Sequence, residues 1–311
     1  RDESQLEFLV VQDNFLTPTA RFADLVLPAC TQFETWGVSD GWKYGQEIIL
    51  LPQVVEPRGE SKSDYRIAAM LAERLGVADA YTEGRDEYAW TKWVVDRYRE
   101  NWLGDLPPFE EMIEGNVGAW TAPVTEPIVA LEDFRRDPEA HPLTTPSGKI
   151  ELFSLEMHRF GRPDVAPAVP KYVQEWESPF DEDAVRHPLQ CIAHHTMARV
   201  HSTHDNNDWL REAHPQRLWI HPVDAGERGL ADGDLVRVFN DRGETRVPCA
   251  ITRRILPGVV DLPQGAWWTP DEKGIDTAGS INVLSSERWT PFAFGAAMQT
   301  VMVQVARADA S

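Results

Sequence analysis

The sequence predicts an α/β portion, then a connecting α+β segment, and finally a six-stranded β-barrel. Residues 6–11 form a short apolar run that ends in polar residues, which is typical of a buried strand in a parallel sheet. Residues 63–75 carry apolar side chains at helical spacing. From residue 188 onward, short runs rich in β-formers alternate with turns, and this pattern indicates a closed barrel.

Length and charge limit the classes of function. The chain has 311 residues, enough for about two domains. Its 30 Lys and Arg residues stand against 50 Asp and Glu residues, a formal net charge of −20. Such a charge argues against nucleic acid or an anionic lipid surface as the main partner. The sequence contains no run of about 18 apolar residues, so it predicts no membrane span. The first residues do not resemble a signal peptide, and we interpret them as a cut end.

The α/β portion places polar residues where ligands commonly bind. The strand predicted at 6–11 leads directly into Gln12 and Asp13, at the carboxyl edge of a parallel sheet. A second strand is predicted at 25–28, and residues 46–55 are predicted to be extended. The helix predicted at 63–75 ends at Gly76. Helical segments rich in Trp and Tyr follow, over residues 84–115.

The connecting segment is rich in proline and turns. Within it, Ile150 and Leu152 alternate with polar residues, which predicts a half-buried strand. The expected boundary is the Pro- and acid-rich stretch 178–187. Beyond it, turn signals at 232–234 and 241–244 separate candidate strands. The six predicted barrel strands are residues 189–193, 218–220, 235–240, 244–252, 258–262 and 300–305.

A cluster of histidines follows the first barrel strand. Five of the nine histidines lie between positions 194 and 214. A metal site is one interpretation, but no carboxylate or thiolate accompanies them at a defined spacing. We favour a binding loop over residues 193–202. Its Thr196 and Ser202 hydroxyls, the Arg199 guanidinium and several backbone N–H groups match a phosphate or pyrophosphate.

Other chemistry-bearing residues give weaker signals. The three cysteines, Cys30, Cys191 and Cys249, have no metal-binding or redox spacing, and we expect buried apolar side chains. Residues 145–149 are superficially similar to a P-loop but lack its first glycine. Trp267 either stacks on a planar ligand or forms an aromatic corner of the barrel, and both alternatives stay open.

Several motifs, in order, resemble the molybdopterin oxidoreductases of the dimethyl sulfoxide reductase family. Residues 10–28, 34–37 and 56–64 resemble the late part of that family's third domain, and residues 134–151 resemble its return into the second domain. The resemblance implies a Rossmann-like portion over 1–115 and a connecting segment over 116–186. A double-psi-type barrel that binds molybdopterin dinucleotide is implied over 187–311.

Two segments narrow the resemblance within the family. His195-Thr-Met-Ala-Arg-Val-His-Ser-Thr203 and Gly279-Ser-Ile-Asn-Val-Leu284 are similar to the catalytic subunit of respiratory anaerobic dimethyl sulfoxide reductases. The resemblance implies a molybdenum bis(molybdopterin guanine dinucleotide) cofactor that takes oxygen from S-oxides or N-oxides. Three alternatives stay open: selenate or another oxyanion as substrate, a non-redox hydration, or a non-catalytic pterin-nucleotide-binding module.

The resemblance also implies roles for residues, all of them in cofactor binding and none in catalysis or metal ligation. In the full subunit, Asp13→Ala or Arg199→Ala is therefore expected to lower cofactor retention more than folding stability. Asn282 and Gln299 would hydrogen-bond pterin edges. One dinucleotide would contact Gln12, Asp13, Thr35 and Asp64, and the second would contact Ala193, His194, His195, Thr196, Arg199, His201 and Ser202, with Trp267 nearby.

Parts of the family pattern have no counterpart in this sequence. The cysteine motif of the [4Fe-4S] cluster and the residue that ligates molybdenum belong to the family's earlier domains. We therefore expect this chain to be the C-terminal part of a longer subunit and to be inactive alone. The implied partners are the rest of the catalytic subunit, an iron–sulfur electron-transfer subunit, a membrane anchor subunit and a small-molecule substrate, and the implied location is the periplasmic face of the membrane.

Overall fold

The computed structural model describes residues 4–41, 47–115, 118–123, 129–296 and 300–308, apart from the side chain of Asp183. The chain divides into two compact units, Arg1–Ala130 and Leu131–Ser311. Each unit has its own hydrophobic core. The domain boundaries expected near residues 115 and 187 stay predictions. Within the described ranges, no helix combines the length and apolar character that crossing a membrane requires.

The first unit contains the predicted parallel strands. Strand β1 (Val10–Asp13) pairs in parallel with β2 (Leu25–Pro28). The observed β1 lies further along the chain than the predicted 6–11, because pairing with β2 and not local hydrophobicity sets its register. The polar residues Gln12 and Asp13 therefore belong to the strand itself and end it at the sheet edge.

A three-stranded antiparallel sheet and two helices form the core of the first unit. The sheet contains β3 (Gly37–Asp40), β4 (Glu47–Leu51) and β5 (Ala119–Thr121) in that order. Helices α3 (Glu87–Asn101) and α4 (Phe109–Glu114) contribute apolar side chains to the same core. The core residues with the least exposure are Ile48, Leu50, Val95, Leu106, Phe109 and Met112.

Helix α1 (Asp64–Leu75) confirms the sequence-based prediction at both ends. The Ser63 hydroxyl accepts a hydrogen bond from the Arg66 N–H at 3.0 Å, as an N-cap does. Gly76 ends the helix with φ 72°, a left-handed conformation that glycine adopts without steric cost. A short helix, α2 (Ala78–Thr82), follows.

The second unit begins with irregular chain and two short helices, α5 (Glu132–Arg136) and α6 (Leu155–Phe160). The half-buried strand predicted around Ile150 and Leu152 is wrong, because both side chains are largely exposed, at 65% and 78%. The turn that precedes these residues extends to Lys149. There the Thr145 hydroxyl donates a hydrogen bond to the Lys149 carbonyl at 2.6 Å, so this carbonyl is not available for strand pairing.

The predicted six-stranded barrel is confirmed. The strands are β6 Leu189–Ile192, β7 Leu218–Ile220, β8 Leu235–Phe239, β9 Glu244–Ile251, β10 Val259–Asp261 and β11 Val301–Arg307. Its strands close in the order β10-β6-β11-β8-β9-β7, with β10 pairing in parallel with β6, and β7 with β9. Helices α7 (Asp208–Ala213) and α8 (Pro222–Glu227) flank β7. Alternate side chains fill the interior, and Cys191 and Cys249 lie among them.

Candidate functional site

A cleft of about 600 Å³ opens on the barrel unit, beside the carboxyl ends of β6 and β9 and the amino end of β7. Two arginines, Arg217 and Arg254, line it together with histidines and hydroxyl groups, and no carboxylate is among the described lining residues. The lining of the cleft is therefore positively charged, whereas the whole chain has a net charge of −20. The other lining residues are His194, His195, Thr196, Met197, Ala213, His214, Pro215, Gln216, Trp219, Ala250, Thr252 and Pro263.

Trp219 contacts both a histidine and an arginine in this cleft. Its ring centroid is 5.0 Å from the His194 ring, and the Arg254 guanidinium carbon lies 5.6 Å from the Trp219 ring centroid. The His194 ring binds the Asp261 carboxylate through Nδ1, and the His194 backbone N–H donates to the same carboxylate at 3.1 Å. Because Nδ1 is occupied, Nε2 is the His194 ring nitrogen that remains for a ligand.

Arg199 is buried beneath the 193–205 loop and does not line the cleft. Its side chain is only 7% exposed, and its Nη1 donates to Asp205 Oδ1 at 2.7 Å. Its Nη2 donates to Gln216 Oε1, also at 2.7 Å. The guanidinium thus forms a buried ion pair that holds the loop, and its direct contact with a phosphate stays a prediction. The sequence could not distinguish these uses, since both require an arginine in the loop.

The same internal bonds fix Trp267. The Asp205 Oδ2 atom accepts the Trp267 backbone N–H at 2.7 Å, and Trp267 Nε1 donates to the Ser202 carbonyl at 2.8 Å. Trp267 is absent from the cleft lining, so the structure favours the aromatic-corner alternative over stacking on a ligand. Ser202 likewise contributes its carbonyl oxygen to the loop's own structure.

Close backbone packing gives the 193–205 loop its shape. Gly265 has φ 95°, and a Cβ atom added there would lie 1.8 Å from the His201 carbonyl oxygen. His201 and His204 both adopt left-handed conformations, with φ 53° and 75°. The Gln264 side-chain amide contacts His201 Nδ1 at 3.1 Å. His201 therefore packs within the loop and does not line the cleft.

The described residues include neither a cluster of metal ligands nor a thiol activated as a nucleophile. Among the described residues, no group of three His, Cys, Asp or Glu side chains has the arrangement of a metal site. Burial raises the pKa of Cys191 to about 12, so this thiol stays protonated at neutral pH. Cys30 is half-buried, unlike the other two cysteines.

Of the remaining described residues predicted to bind cofactor in the barrel unit, one lines the cleft. Thr196 lines the cleft, and its hydroxyl accepts the Ala198 N–H at 3.3 Å. Ala193 is buried at the end of β6. Asn282 is exposed in a short 3₁₀ turn, Ile281–Val283, outside the cleft lining. Gln299 lies outside the described residues.

In the first unit, two of the four predicted residues meet. Gln12 Nε2 donates to Asp64 Oδ1, which joins the end of β1 to the start of α1. The neighbouring Asp13 carboxylate accepts the Phe15 N–H at 3.0 Å. Thr35 lies next to Glu34, a buried carboxylate that the sequence analysis did not single out.

Glu34 holds two loops of the first unit together. Its carboxylate accepts the Thr31 N–H at 2.7 Å, the Thr31 hydroxyl at 2.9 Å and the Arg58 N–H at 2.8 Å. The hydrogen bonds from the Thr31 and Arg58 backbone hold the pKa of Glu34 below its ordinary value. The ionised form is therefore favoured in the folded state.

We predict that this carboxylate makes the first unit sensitive to acid. A folded-state pKa below the unfolded value contributes stability at neutral pH, and that contribution is lost as the pH falls from about 4.5 through the lowered pKa. Chemical denaturation at pH 7 and pH 3.5 should show a smaller pH-dependent loss of stability in Glu34→Gln than in the parent. An equal loss in both proteins would contradict this role.

Two family profiles match these units. Residues 189–302 match the Molydopterin dinucleotide binding domain, and residues 1–74 match the profile described as Molybdopterin oxidoreductase. The chain belongs to the molybdopterin oxidoreductases. The family expectation from the sequence motifs is therefore confirmed.

Relatives within this family extend over almost the whole chain. Dimethyl sulfoxide reductase DmsA of Haemophilus influenzae is 39% identical over 99% of this chain, and DmsA of Escherichia coli is 40% identical over 98%. A dimethyl sulfoxide/trimethylamine N-oxide reductase of Cereibacter sphaeroides is 37% identical over 97%. The chain covers 39%, 38% and 38% of these three relatives, or about two fifths of their length.

A solved structure supports the fold of this molybdopterin oxidoreductase chain. Acetylene hydratase from Pelobacter acetylenicus superposes with a TM-score of 0.73 and 22% sequence identity. The alignment covers 97% of this chain and 40% of the hydratase. This likeness shows a shared fold.

The cleft's donor set fits the nucleotide end of a molybdopterin dinucleotide. Arg217 and Arg254 supply the positive charge that a pyrophosphate requires, and the Thr196 and Thr252 hydroxyls add hydrogen-bond donors. Trp219 offers an indole ring of the kind on which a planar base can stack. The cleft also lies within the residues that match the dinucleotide-binding profile.

Most of these cleft residues were missed by the sequence analysis, although a signal existed. In β7, Leu218 and Ile220 are buried in the barrel interior, so Arg217 and Trp219 share the opposite face. The same period of two places Ala250, Thr252 and Arg254 together where β9 ends beside β7. An alternation test on these two segments would have identified the cleft wall.

Proposed function

We propose that this chain is the cofactor-binding part of a molybdenum bis(molybdopterin guanine dinucleotide) reductase that acts on S-oxides or N-oxides such as dimethyl sulfoxide. The observation that carries the proposal is the cleft with Arg217, Arg254 and Trp219 and no carboxylate among its described lining residues, within the dinucleotide-binding region. The substrate class follows from the relatives at 37–40% identity, whose names specify dimethyl sulfoxide or trimethylamine N-oxide.

The chain's own residues bind and orient the cofactor. Arg217 and Arg254 neutralise the diphosphate, while His194 is held in a fixed orientation by Asp261 and can donate or accept through Nε2. In the first unit, Gln12, Asp13, Thr35 and Asp64 would contact the other dinucleotide. When bound, the pterin-held molybdenum supplies the two-electron oxygen-atom transfer, and the protein provides orientation and electrostatics.

The proposal extends to the parts of the relatives that this chain does not cover. The chain covers about two fifths of the relatives' length, and the remaining length would carry the [4Fe-4S] cluster and the residue that ligates molybdenum. We propose an iron–sulfur subunit and a membrane anchor as partners, at the periplasmic face of the membrane. The chain by itself would bind nucleotide without reducing substrate.

The test is an assay of the full-length subunit that contains this chain. We expect about two guanine nucleotides per molybdenum and oxidation of a reduced viologen dye that depends on dimethyl sulfoxide. The double substitution Arg217→Ala/Arg254→Ala should lower the guanine nucleotide content. The matched control is Arg253→Ala, an exposed arginine next to Arg254 that does not line the cleft. Absence of molybdenum and nucleotide from the parent subunit would contradict the proposal.

A further inference from the structure

Gln216 connects the wall of the cleft to the buried Arg199. Its Oε1 atom accepts a hydrogen bond from Arg199 Nη2 at 2.7 Å. Its Nε2 atom donates to the Pro263 carbonyl at 2.7 Å and to the Gly279 carbonyl at 3.0 Å. Both amide hydrogens and one acceptor position are thus used, while the residue itself is half-buried and lines the cleft.

The contact continues from Arg199 into the 193–205 loop. Arg199 pairs with Asp205, and Asp205 in turn accepts the backbone N–H of Trp267. Both partners of the ion pair are buried, with side chains 7% and 5% exposed. The loop that these bonds hold supplies His194, His195 and Thr196 to the cleft, although Arg199 and Asp205 do not line it.

Two further observations indicate that the position of Gln216 controls the orientation of the Arg199 guanidinium. A Cβ atom at Gly279, where φ is 78°, would lie 2.7 Å from Gln216 Cγ, so this glycine leaves the glutamine its place. Arg199 Nε is buried and has no hydrogen-bond partner in the described part of the chain. The orientation of the guanidinium therefore depends on the bonds at its two terminal nitrogens, and one of these ends on Gln216.

We propose that Gln216 is a positioning residue that sets the shape of the nucleotide cleft through Arg199 and Asp205. This inference rests on the proposed function, because it assumes that a guanine nucleotide occupies the cleft. Gln216 acts by holding the 193–205 loop against the segments that contain Pro263 and Gly279. Without its amide, the loop samples other arrangements, and the binding groups lose their preorganisation.

The test compares Gln216→Met with a matched glutamine in the 311-residue chain. Gln304 is also half-buried and accepts from an arginine, Arg228 Nε, at 3.3 Å, but it lies outside the cleft lining. With GDP as the probe, calorimetry should show the dissociation constant raised about tenfold in Gln216→Met and unchanged in Gln304→Met. Hydrogen exchange over residues 199–205 should be faster only in the Gln216 variant.

The outcomes separate this inference from the proposed function. If the parent chain does not bind GDP, the proposed function and this inference both fail. If the parent binds GDP and Gln216→Met binds it within twofold as tightly, the inference alone fails. If Gln216→Met does not fold, hydrogen exchange of the parent chain with and without GDP tests the inference. GDP should slow exchange over residues 199–205, and unchanged exchange there would overturn the inference.

Discussion

Gly265→Ala is expected to lower the free energy of unfolding of the barrel unit by about 4 kcal/mol or more. Two costs add at this position. The φ angle of 95° is one that residues with a Cβ atom rarely adopt, and the new Cβ atom would lie 1.8 Å from the His201 carbonyl oxygen. Because that oxygen belongs to the backbone of the 193–205 loop, relief of the clash requires the loop to move. Loss of GDP binding should accompany the loss of stability.

A second glycine separates the two costs. Gly233 has φ 83° in the turn before β8, and no atom lies within 4 Å of an added Cβ. Gly233→Ala therefore carries only the conformational cost, about 1–2 kcal/mol. Urea denaturation of both variants, followed through the barrel transition, measures the difference. Equal losses in the two variants would show that the contact between Gly265 and His201 does not constrain the loop.

Asp205→Ala is expected to cost about 3–5 kcal/mol, because it leaves the buried Arg199 charge without its carboxylate partner. The same substitution removes the acceptor of the Trp267 backbone N–H, so the 193–205 loop also loses one of its hydrogen bonds to the segment that contains Trp267. Arg199→Ala should also destabilise the barrel unit strongly. The geometry of the ion pair thus adds a loss of stability to the loss of cofactor retention that the sequence predicts for Arg199→Ala.

Two comparisons test this explanation by urea denaturation. The combined substitution Arg199→Met/Asp205→Leu removes both charges and should recover part of the stability that Asp205→Ala loses. Asp164 forms two hydrogen bonds with Arg162, but both side chains are exposed, so Asp164→Ala should change stability little. If the Asp164 and Asp205 substitutions had similar effects, burial would not be the source of the cost.

Local patterns predicted the barrel and helix α1 well. In strands β6 to β9, buried residues largely alternate with less buried ones between clear turns, so the positions of these strands follow from side-chain period. Helix α1 has a capping serine at 63 and a glycine at 76, and both ends are local signals. Strand β1 was placed too early because its register depends on β2, and this pairing is not encoded in residues 6–11 alone.

The site was harder to predict because its contacts are distant in sequence. The position of Arg199 depends on Gln216 and Pro263, which lie 17 and 64 residues away. A loop arginine looks the same in sequence whether it binds a ligand or a buried aspartate. Arg217 and Trp219 were not predicted because β7 has only three residues, and so short a strand shows little of the alternation that would mark its outward face.

A crystal structure of the chain grown with GDP tests most directly the claim that the barrel cleft binds the nucleotide end of the cofactor. We predict GDP in the cleft, with its diphosphate beside Arg217 and Arg254 and its base on the Trp219 side. Ordered GDP located elsewhere on the barrel unit, with the cleft holding only solvent, would contradict the account.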